Sequence, residues 1–193
     1  MKKTVCLSLL LCLAMLAAGC SSSAPDENTI SVDKKGRVTV TIVEDFDKDY
    51  YDADELAEEI DEEIAQYNVN FASDRVTLEK FEVKDGVATL RLMFEAARYY
   101  ADYMGVTMYS GTVAEAMEEG YDLSVDFIDQ DGDIIGIEDV EDYESQNILI
   151  IEEAVTVELS GNVLAAGESD NVVITAKKSV SVVDAELTYI IYE

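Results

Sequence analysis

The stretch RVTLEKFEVKDGVATLRLMF, residues 75–94, carries the strongest structural signal in the chain. Asp85-Gly86 lies at its centre, and this dipeptide permits the positive φ angles of a tight two-residue turn. After the turn, Leu90, Leu92 and Phe94 occupy alternate positions, so their side chains share one face of a strand. The stretch therefore predicts an antiparallel β-hairpin with one apolar face.

A second hairpin is predicted closer to the N-terminus. Turn residues at positions 33–36 separate two short β-prone segments. In the second of these segments, Val38, Val40 and Ile42 recur at every other position, which predicts another strand with an apolar face.

Capping patterns predict the helices. Asp52 and Glu55 form a capping box, and Leu56, Ile60 and Ile64 follow it on one helical face. The opposite face is strongly acidic. Because like charges repel along a helix, packing of the apolar stripe must hold this helix in place.

Two shorter helices are predicted further along the chain. Residues 95–104 have helical spacing and end at Gly105, the residue type favoured just after a helix. Thr112 and Glu115 form a second capping box, and Gly120 ends the helix that they begin.

The remaining pattern is mostly β. Short strands are predicted at 106–109, 123–128 and 134–137, and then at 148–151, 155–159, 172–174, 180–183 and 187–192. The expected fold class is α+β, with an antiparallel sheet, two to three short helices and a β-rich C-terminal third. We expect one such domain over residues 30–193.

The N-terminal residues have the build of a secretory signal peptide. Lys2 and Lys3 precede an apolar run that is shorter than the roughly 20 residues of a membrane-spanning helix. The run ends in Leu16-Ala17-Ala18-Gly19-Cys20, which resembles a bacterial lipobox, although that family prefers leucine where this chain has Ala17. The resemblance implies cleavage before Cys20, so residues 1–19 are a lipoprotein signal peptide and residues 20–29 a flexible tether.

The same resemblance implies a location. Lipid on the thiol of Cys20 would hold the protein at the cell membrane, on its extracytoplasmic face. Removing the first 19 of the 193 residues leaves 174, and loses Lys2 and Lys3 while keeping all 42 acidic residues. With 11 basic residues left, the net charge becomes −31. The mature domain resembles the small acidic lipoproteins of unassigned function found in anaerobic Gram-positive bacteria.

Charge and missing residue types exclude several function classes. So negative a chain repels nucleic acid, so we expect no nucleic-acid partner. The sequence contains no histidine, and Cys6 and Cys12 lie in the signal peptide. Catalysis by Cys–His or Ser–His–Asp and zinc sites with histidine ligands are therefore excluded.

One acidic loop resembles part of a calcium-binding loop of the EF-hand or dockerin kind. If Gly132 is its sixth position, Asp129 and Asp131 fall at the third and fifth, and Glu138 falls at the twelfth, which requires a bidentate carboxylate. Against this, the first position would be Phe127, which has no side-chain oxygen. The alternative is a plain hairpin turn, for which Asp and Gly are the favoured residues. The candidate metal ligands are Asp129, Asp131, Asp133 and Glu138, and calcium is the one cofactor considered.

Three tyrosines lie close together in the predicted helix 95–104. Tyr100 shares a packed stripe with Ala97 and Met104, whereas Tyr99 and Tyr103 lie off that stripe. Tyr99 and Tyr103 are therefore the candidates for stacking on a ligand such as a sugar ring, and the alternative is a packed or solvated helix face.

Three functions follow from these observations. The first is a non-enzymatic binding module on the cell surface whose partner is a glycan or an envelope protein. The second is a calcium-stabilised structural domain of the cell envelope. The third is a carboxylate-based hydrolase, although no pair of acidic residues stands out and no catalytic residue is assigned.

Overall fold

The structure is a computed structural model that describes residues 27–136, 142–167 and 171–193. Within these ranges the chain forms three helices and thirteen strands. In order they are β1 (Thr29–Val32), β2 (Val38–Asp45), α1 (Ala53–Asn68), β3 (Val76–Lys84), β4 (Val87–Phe94), α2 (Ala97–Met104), β5 (Met108–Thr112), α3 (Val113–Glu118), β6 (Phe127–Ile128), β7 (Ile134–Ile135), β8 (Asn147–Ile151), β9 (Val155–Leu159), β10 (Val163–Gly167), β11 (Val172–Ala176), β12 (Ser179–Val182) and β13 (Thr188–Tyr192).

The strands form two sheets. The large sheet has seven strands in the order β11-β12-β9-β1-β2-β4-β3, and the small sheet has six in the order β5-β8-β13-β10-β6-β7. The α+β class and the β-rich C-terminal third are confirmed. The pairing is antiparallel except between β1 and β9, which run parallel and join the N-terminal half of the large sheet to its C-terminal half.

The predicted hairpin 75–94 is confirmed as β3 and β4. Asp85 and Gly86 both have positive φ, 54° and 81°, which is the backbone of a tight turn matched to the twist of its strands. A register shift between Leu78 and Lys80 indicates a bulge in β3. The bulge places Phe81 opposite Leu90, so β3 keeps an apolar face despite its odd spacing.

The predicted starts of α1 and α3 are also confirmed, whereas α2 begins at Ala97 rather than at residue 95. The side chain of Asp52 accepts hydrogen bonds from the backbone N–H groups of Asp54 and Glu55 at the start of α1. Thr112 and Glu115 form a reciprocal capping box at α3, and α2 ends at Gly105 with φ 71°. These ends form where predicted because each uses side chains or backbone freedom within one turn of the helix.

The main core lies between the two sheets and includes the apolar sides of α1 and α2. Its buried residues come from both sheets, for example Ile30 and Phe94 from the large sheet and Leu149 and Ile190 from the small one. A second core covers the other face of the small sheet. Strand β13 is buried at every position, because it lies in the middle of the small sheet with a core on each face.

Three strand predictions differ from the structure. Strand β5 covers Met108–Thr112 rather than residues 106–109, β6 covers Phe127–Ile128 rather than residues 123–128, and β10, Val163–Gly167, is not predicted. The small residues of β10 have weak strand preference, yet β10 lies between β13 and β6 with Ala165 and Ala166 fully buried. In the described part of the chain, no helix combines the length and the apolar character that a membrane crossing requires.

Candidate functional site

An apolar groove lies between α1 and one face of the large sheet. Leu56 and Ile60 line it from the helix, and Ile42 and Leu90 line it from the sheet. The cavity within it has a volume of about 80 Å³. The other lining residues are Asn28, Val40, Glu44, Glu63, Phe81, Ala88, Leu92, Tyr103, Met104, Glu153 and Val155.

The groove is present because the elements that pack over this sheet face do not cover it fully towards one end of β2 and β4. Val40 pairs with Leu92 across the two strands, and each is 2% exposed. Ile42 and Leu90 form the next pair along the same face, and both are only half-buried. Apolar surface that would otherwise be core is therefore open to a ligand.

Three carboxylates reach this groove from three different elements. Glu44 continues the apolar face of β2 beyond Ile42, and Glu63 lies on α1 seven residues after Leu56, on the same side of the helix. Glu153 lies in the connection between β8 and β9. The described residues that line the groove include no lysine or arginine.

Glu44 and Glu63 are disfavoured as anions in this position. Burial raises the pKa of Glu44, and the neighbouring charge of Asp45 raises it further. Burial likewise raises the pKa of Glu63, with Glu59 as the second cause. Carboxylates with raised pKa values around a concave apolar surface are a common property of binding sites.

Glu153 forms a hydrogen-bonded pair with Tyr100 beneath the groove. Tyr100 is fully buried, and its hydroxyl donates to Oε2 of Glu153 over 2.6 Å. Burial raises the pKa of Glu153, and the hydrogen bond from Tyr100 only partly opposes that rise. Burial and the nearby carboxylate also hold the pKa of Tyr100 above its usual range, so the tyrosine remains the donor.

Tyr99, a predicted ligand contact, has its ring packed against neighbouring side chains. The guanidinium carbons of Arg75 and Arg98 lie 5.1 and 4.7 Å from its ring centroid, and Phe71 packs against it edge to face. Arg98 also donates a hydrogen bond to its hydroxyl over 3.0 Å. Much of the ring surface that a sugar would stack on is therefore engaged within the protein.

Tyr103, the other predicted contact, lines the groove. Its ring packs edge to face on Tyr67 and Phe94, with centroid distances of 5.2 and 5.6 Å. Burial, and after it the charge of Glu63, raises the pKa of Tyr103 to about 12. The structure therefore places Tyr103 at the groove and Tyr99 in a separate cluster with two arginines.

The acidic loop after β6 forms a hairpin turn between β6 and β7. Oδ1 of Asp129 accepts hydrogen bonds from the backbone N–H groups of Asp131 and Asp133, at 2.8 and 2.9 Å, and Gly132 has φ 83°. Glu138 lies outside the described residues. Among the residues that are described, no group of three or more acidic or cysteine side chains is arranged to hold a metal ion.

A second concave surface, the lysine cleft, lies at the other end of β1. Its volume is about 630 Å³, and its lining is mostly polar. It brings together Lys34, Lys35 and Lys178 with hydroxyl and amide groups from Ser160 and Asn162, and Nζ of Lys178 donates to the carbonyl of Ser160 over 2.7 Å. Asp33 and Glu193 also line the cleft, so the charges of the three lysines are partly balanced there.

Sequence reasoning identified the walls of the groove but not the groove. The apolar faces of β2, β4 and α1 were all predicted, whereas their incomplete packing was not. A signal was nevertheless present, because Glu44 continues the alternation of Val40 and Ile42, and Glu63 lies in phase with Leu56 and Ile60. Carboxylates in phase with apolar faces mark where the core opens to solvent.

Cys20 lies outside the described residues, so lipid attachment there stays a prediction. Comparisons with known proteins add no family to this description. No family model matches the chain, and no similar curated protein or solved structure was found.

Proposed function

We propose that this protein is a lipid-anchored extracytoplasmic binding module, and that the apolar groove is its ligand site. The groove between α1 and the large sheet carries this proposal, because it leaves core-type side chains half-exposed beside three carboxylates. The ligand that suits it is a small amphiphile, whose apolar part enters the groove while its polar end stays at the carboxylates.

The size of the groove limits the apolar part of that ligand. A water molecule needs about 10–15 Å³ of cavity volume, so a cavity of about 80 Å³ accommodates roughly five to eight heavy atoms. A six-carbon chain or a single aromatic ring fits this size. Burying each methylene contributes about 0.8 kcal/mol, which makes a short chain sufficient for weak but measurable binding.

The tether supports a location close to the membrane. Asn28 lines the groove, and it lies eight residues after Cys20 in the sequence. Eight fully extended residues span at most about 28 Å. With lipid on Cys20, the groove would lie within that distance of the bilayer, where amphiphiles concentrate.

Filling the groove tests its role. Ala88 lies on the groove side of β4, and Ala88→Leu would add three heavy atoms to a space for five to eight. We expect the affinity for 1-hexanol, measured by ligand-observed NMR on residues 21–193, to fall at least about fivefold, which is the loss of about one kcal/mol of apolar contact. This portion contains every described helix, strand and core residue.

The matched control is Thr89→Leu, the next residue of β4, whose side chain points to the opposite face of the sheet. Its affinity for 1-hexanol should equal that of the wild type. Equal binding by the Ala88→Leu variant and the wild type would show that the groove is not the site.

The anchor is tested separately in cells. Without its thiol, Cys20→Ser cannot accept the lipid, so the protein should be released into the medium or accumulate as unprocessed precursor. Fractionation followed by immunoblotting distinguishes these results from retention. A processed Cys20→Ser protein that stays in the membrane fraction would contradict lipid anchoring at this residue.

The partner classes expected from the sequence can be assigned to another surface. A glycan or an envelope protein would meet the lysine cleft, because it offers hydroxyl, amide and ammonium groups at the end of β1 that lies away from the tether. Calcium binding at Asp129, Asp131, Asp133 and Glu138 stays a prediction. Oδ1 of Asp129 already accepts two backbone hydrogen bonds, which is the arrangement of a plain turn.

A further inference from the structure

We propose that the ligand of the apolar groove is a cationic amphiphile, a protonated amine attached to a short alkyl chain or an aromatic ring. This inference rests on the proposed function of the groove and specifies the chemistry of the ligand. It follows from the charges at the groove, the arrangement of the carboxylates and the field of the whole protein.

The charge around the groove is entirely of one sign in the described structure. Glu44, Glu63 and Glu153 line it, and no described lining residue is basic. Each carboxylate is partly removed from water, which disfavours its ionised form unless a positive charge comes close. An ammonium group on the ligand would supply that charge, whereas a carboxylate on the ligand would be repelled.

The arrangement favours an organic cation over a metal ion. The three carboxylates come from β2, α1 and the β8–β9 connection, and no metal-binding group of three is found among the described residues. A metal ion needs its ligand oxygens within about 2.0–2.6 Å at once. An ammonium carries three donors on a flexible chain and can bind carboxylates one or two at a time over longer distances.

The rest of the protein reinforces this choice. With 42 acidic and 13 basic residues, the chain produces a negative field that attracts cations and repels anionic amphiphiles. The local carboxylates then distinguish the groove from plain acidic surface, because negative charges there lie beside a concave surface of half-buried apolar side chains. A ligand that has both a positive charge and an apolar part is therefore stabilised by the carboxylates and by the apolar contacts.

Proton linkage gives this ligand class a recognisable signature. An ammonium beside Glu44 or Glu63 would favour the ionised carboxylate, so binding should release protons at mildly acidic pH. The charge of Asp45 acts on Glu44, Glu59 and Tyr103 lie near Glu63, and Tyr100 donates a hydrogen bond to Glu153. Affinity for the amine should therefore fall with decreasing pH, while affinity for a neutral analogue should not follow that course.

Three six-carbon probes separate the contributions: hexylamine, 1-hexanol and hexanoate. They share the apolar chain and differ in the charge of the polar end. At neutral pH and physiological salt, we expect hexylamine to bind residues 21–193 about tenfold more tightly than 1-hexanol, and hexanoate to bind more weakly than either. Ligand-observed NMR titration measures all three.

Two variants locate the effect within the groove. Glu63→Gln and Glu44→Gln should each weaken hexylamine binding by about three- to tenfold while leaving 1-hexanol binding unchanged. Glu58→Gln is the matched control, since it removes the same charge from α1 at an exposed position that does not line the groove. Its hexylamine affinity should stay close to that of the wild type.

Each result supports or overturns a specific claim. If 1-hexanol binds and hexylamine binds no more tightly, the cationic ligand is wrong while the groove function stands. If none of the three probes binds, the groove function itself is wrong. If Glu58→Gln weakens hexylamine binding as much as Glu63→Gln does, the preference reflects only the overall charge, and the assignment to the groove is overturned.

Discussion

Replacing Phe94 with alanine is expected to lower the free energy of unfolding by about 3–5 kcal/mol, the usual cost of truncating a buried aromatic residue. Phe94 is fully buried at the end of β4, between its strand neighbours Val38 and Val76. Its ring packs edge to face on Tyr100 and Tyr103, at centroid distances of 5.2 and 5.6 Å. One substitution therefore removes contacts to two strands and a helix.

The loss is large because nothing nearby can fill the space. The neighbouring side chains belong to a sheet and a helix that are fixed by other contacts, so a cavity would remain and add to the lost transfer free energy. Domains of this size are stable by only about 5–15 kcal/mol. The variant would therefore lose a large share of its stability. Urea unfolding followed by circular dichroism measures the difference.

Phe81→Ala is the control for this prediction. Phe81 lies on the same face of the same sheet but is half-buried at the groove, so the same truncation should cost clearly less. Equal losses for the two variants would mean that the core around Phe94 is no tighter than the groove. That result would contradict the description of the groove as a gap in the packing.

The parts of the fold that the sequence predicts well are stabilised within a few residues. The Asp85-Gly86 turn and the capping side chains of Asp52 and Thr112 act over one turn of backbone. Alternation of apolar residues likewise identifies a strand face without knowledge of its partner. These signals are local, so they can be recognised before any tertiary contact is known.

The parts that the sequence does not predict depend on distant partners. Strand β1 lies parallel to β9, more than a hundred residues away, and nothing in Thr29–Val32 specifies that neighbour. Strand β10 is formed mainly from small residues, and the strands on each side hold it in the small sheet. Tertiary context overrides weak strand preference there.

The candidate site has the same dependence on context. Glu44 and Glu63 are visible in the sequence as carboxylates in phase with apolar faces. Their meeting at one groove depends on the packing of α1 over β2 and β4, which no local pattern specifies. The position of Tyr103 off the packed stripe of α2 predicts a ligand contact, and Tyr103 lines the groove while also packing on Tyr67.

The pair of Tyr100 and Glu153 gives the second large expected effect. Glu153→Ala would leave the Tyr100 hydroxyl fully buried without its acceptor, at a cost of about 1–3 kcal/mol of unfolding free energy. Glu153→Gln keeps an acceptor oxygen at this position and removes the buried charge, so it should be clearly more stable than Glu153→Ala. Equal stability of the two variants would show that the hydrogen bond contributes little.

The pH dependence of this pair has a definite sign. Burial raises the pKa of Glu153 in the folded state above the ordinary carboxyl value of 4.5, so between the two values the folded state holds a proton that the unfolded chain has lost. The resulting stability is fully present below the unfolded pKa and is lost as pH rises through the folded pKa. Relative to Glu153→Gln, the wild type should therefore gain stability as pH falls from 7 towards 4.5.

Comparing the wild type with Glu153→Gln isolates the contribution of Glu153 to the pH dependence, because the many other carboxylates titrate in both proteins. Glu152→Gln controls for the loss of one negative charge, since Glu152 is the adjacent residue and is exposed. Urea midpoints at pH 7, 6, 5 and 4.5 give the stability differences. A difference between wild type and Glu153→Gln that stays constant over this range would mean that Glu153 has the same pKa folded and unfolded, and that the groove does not desolvate it.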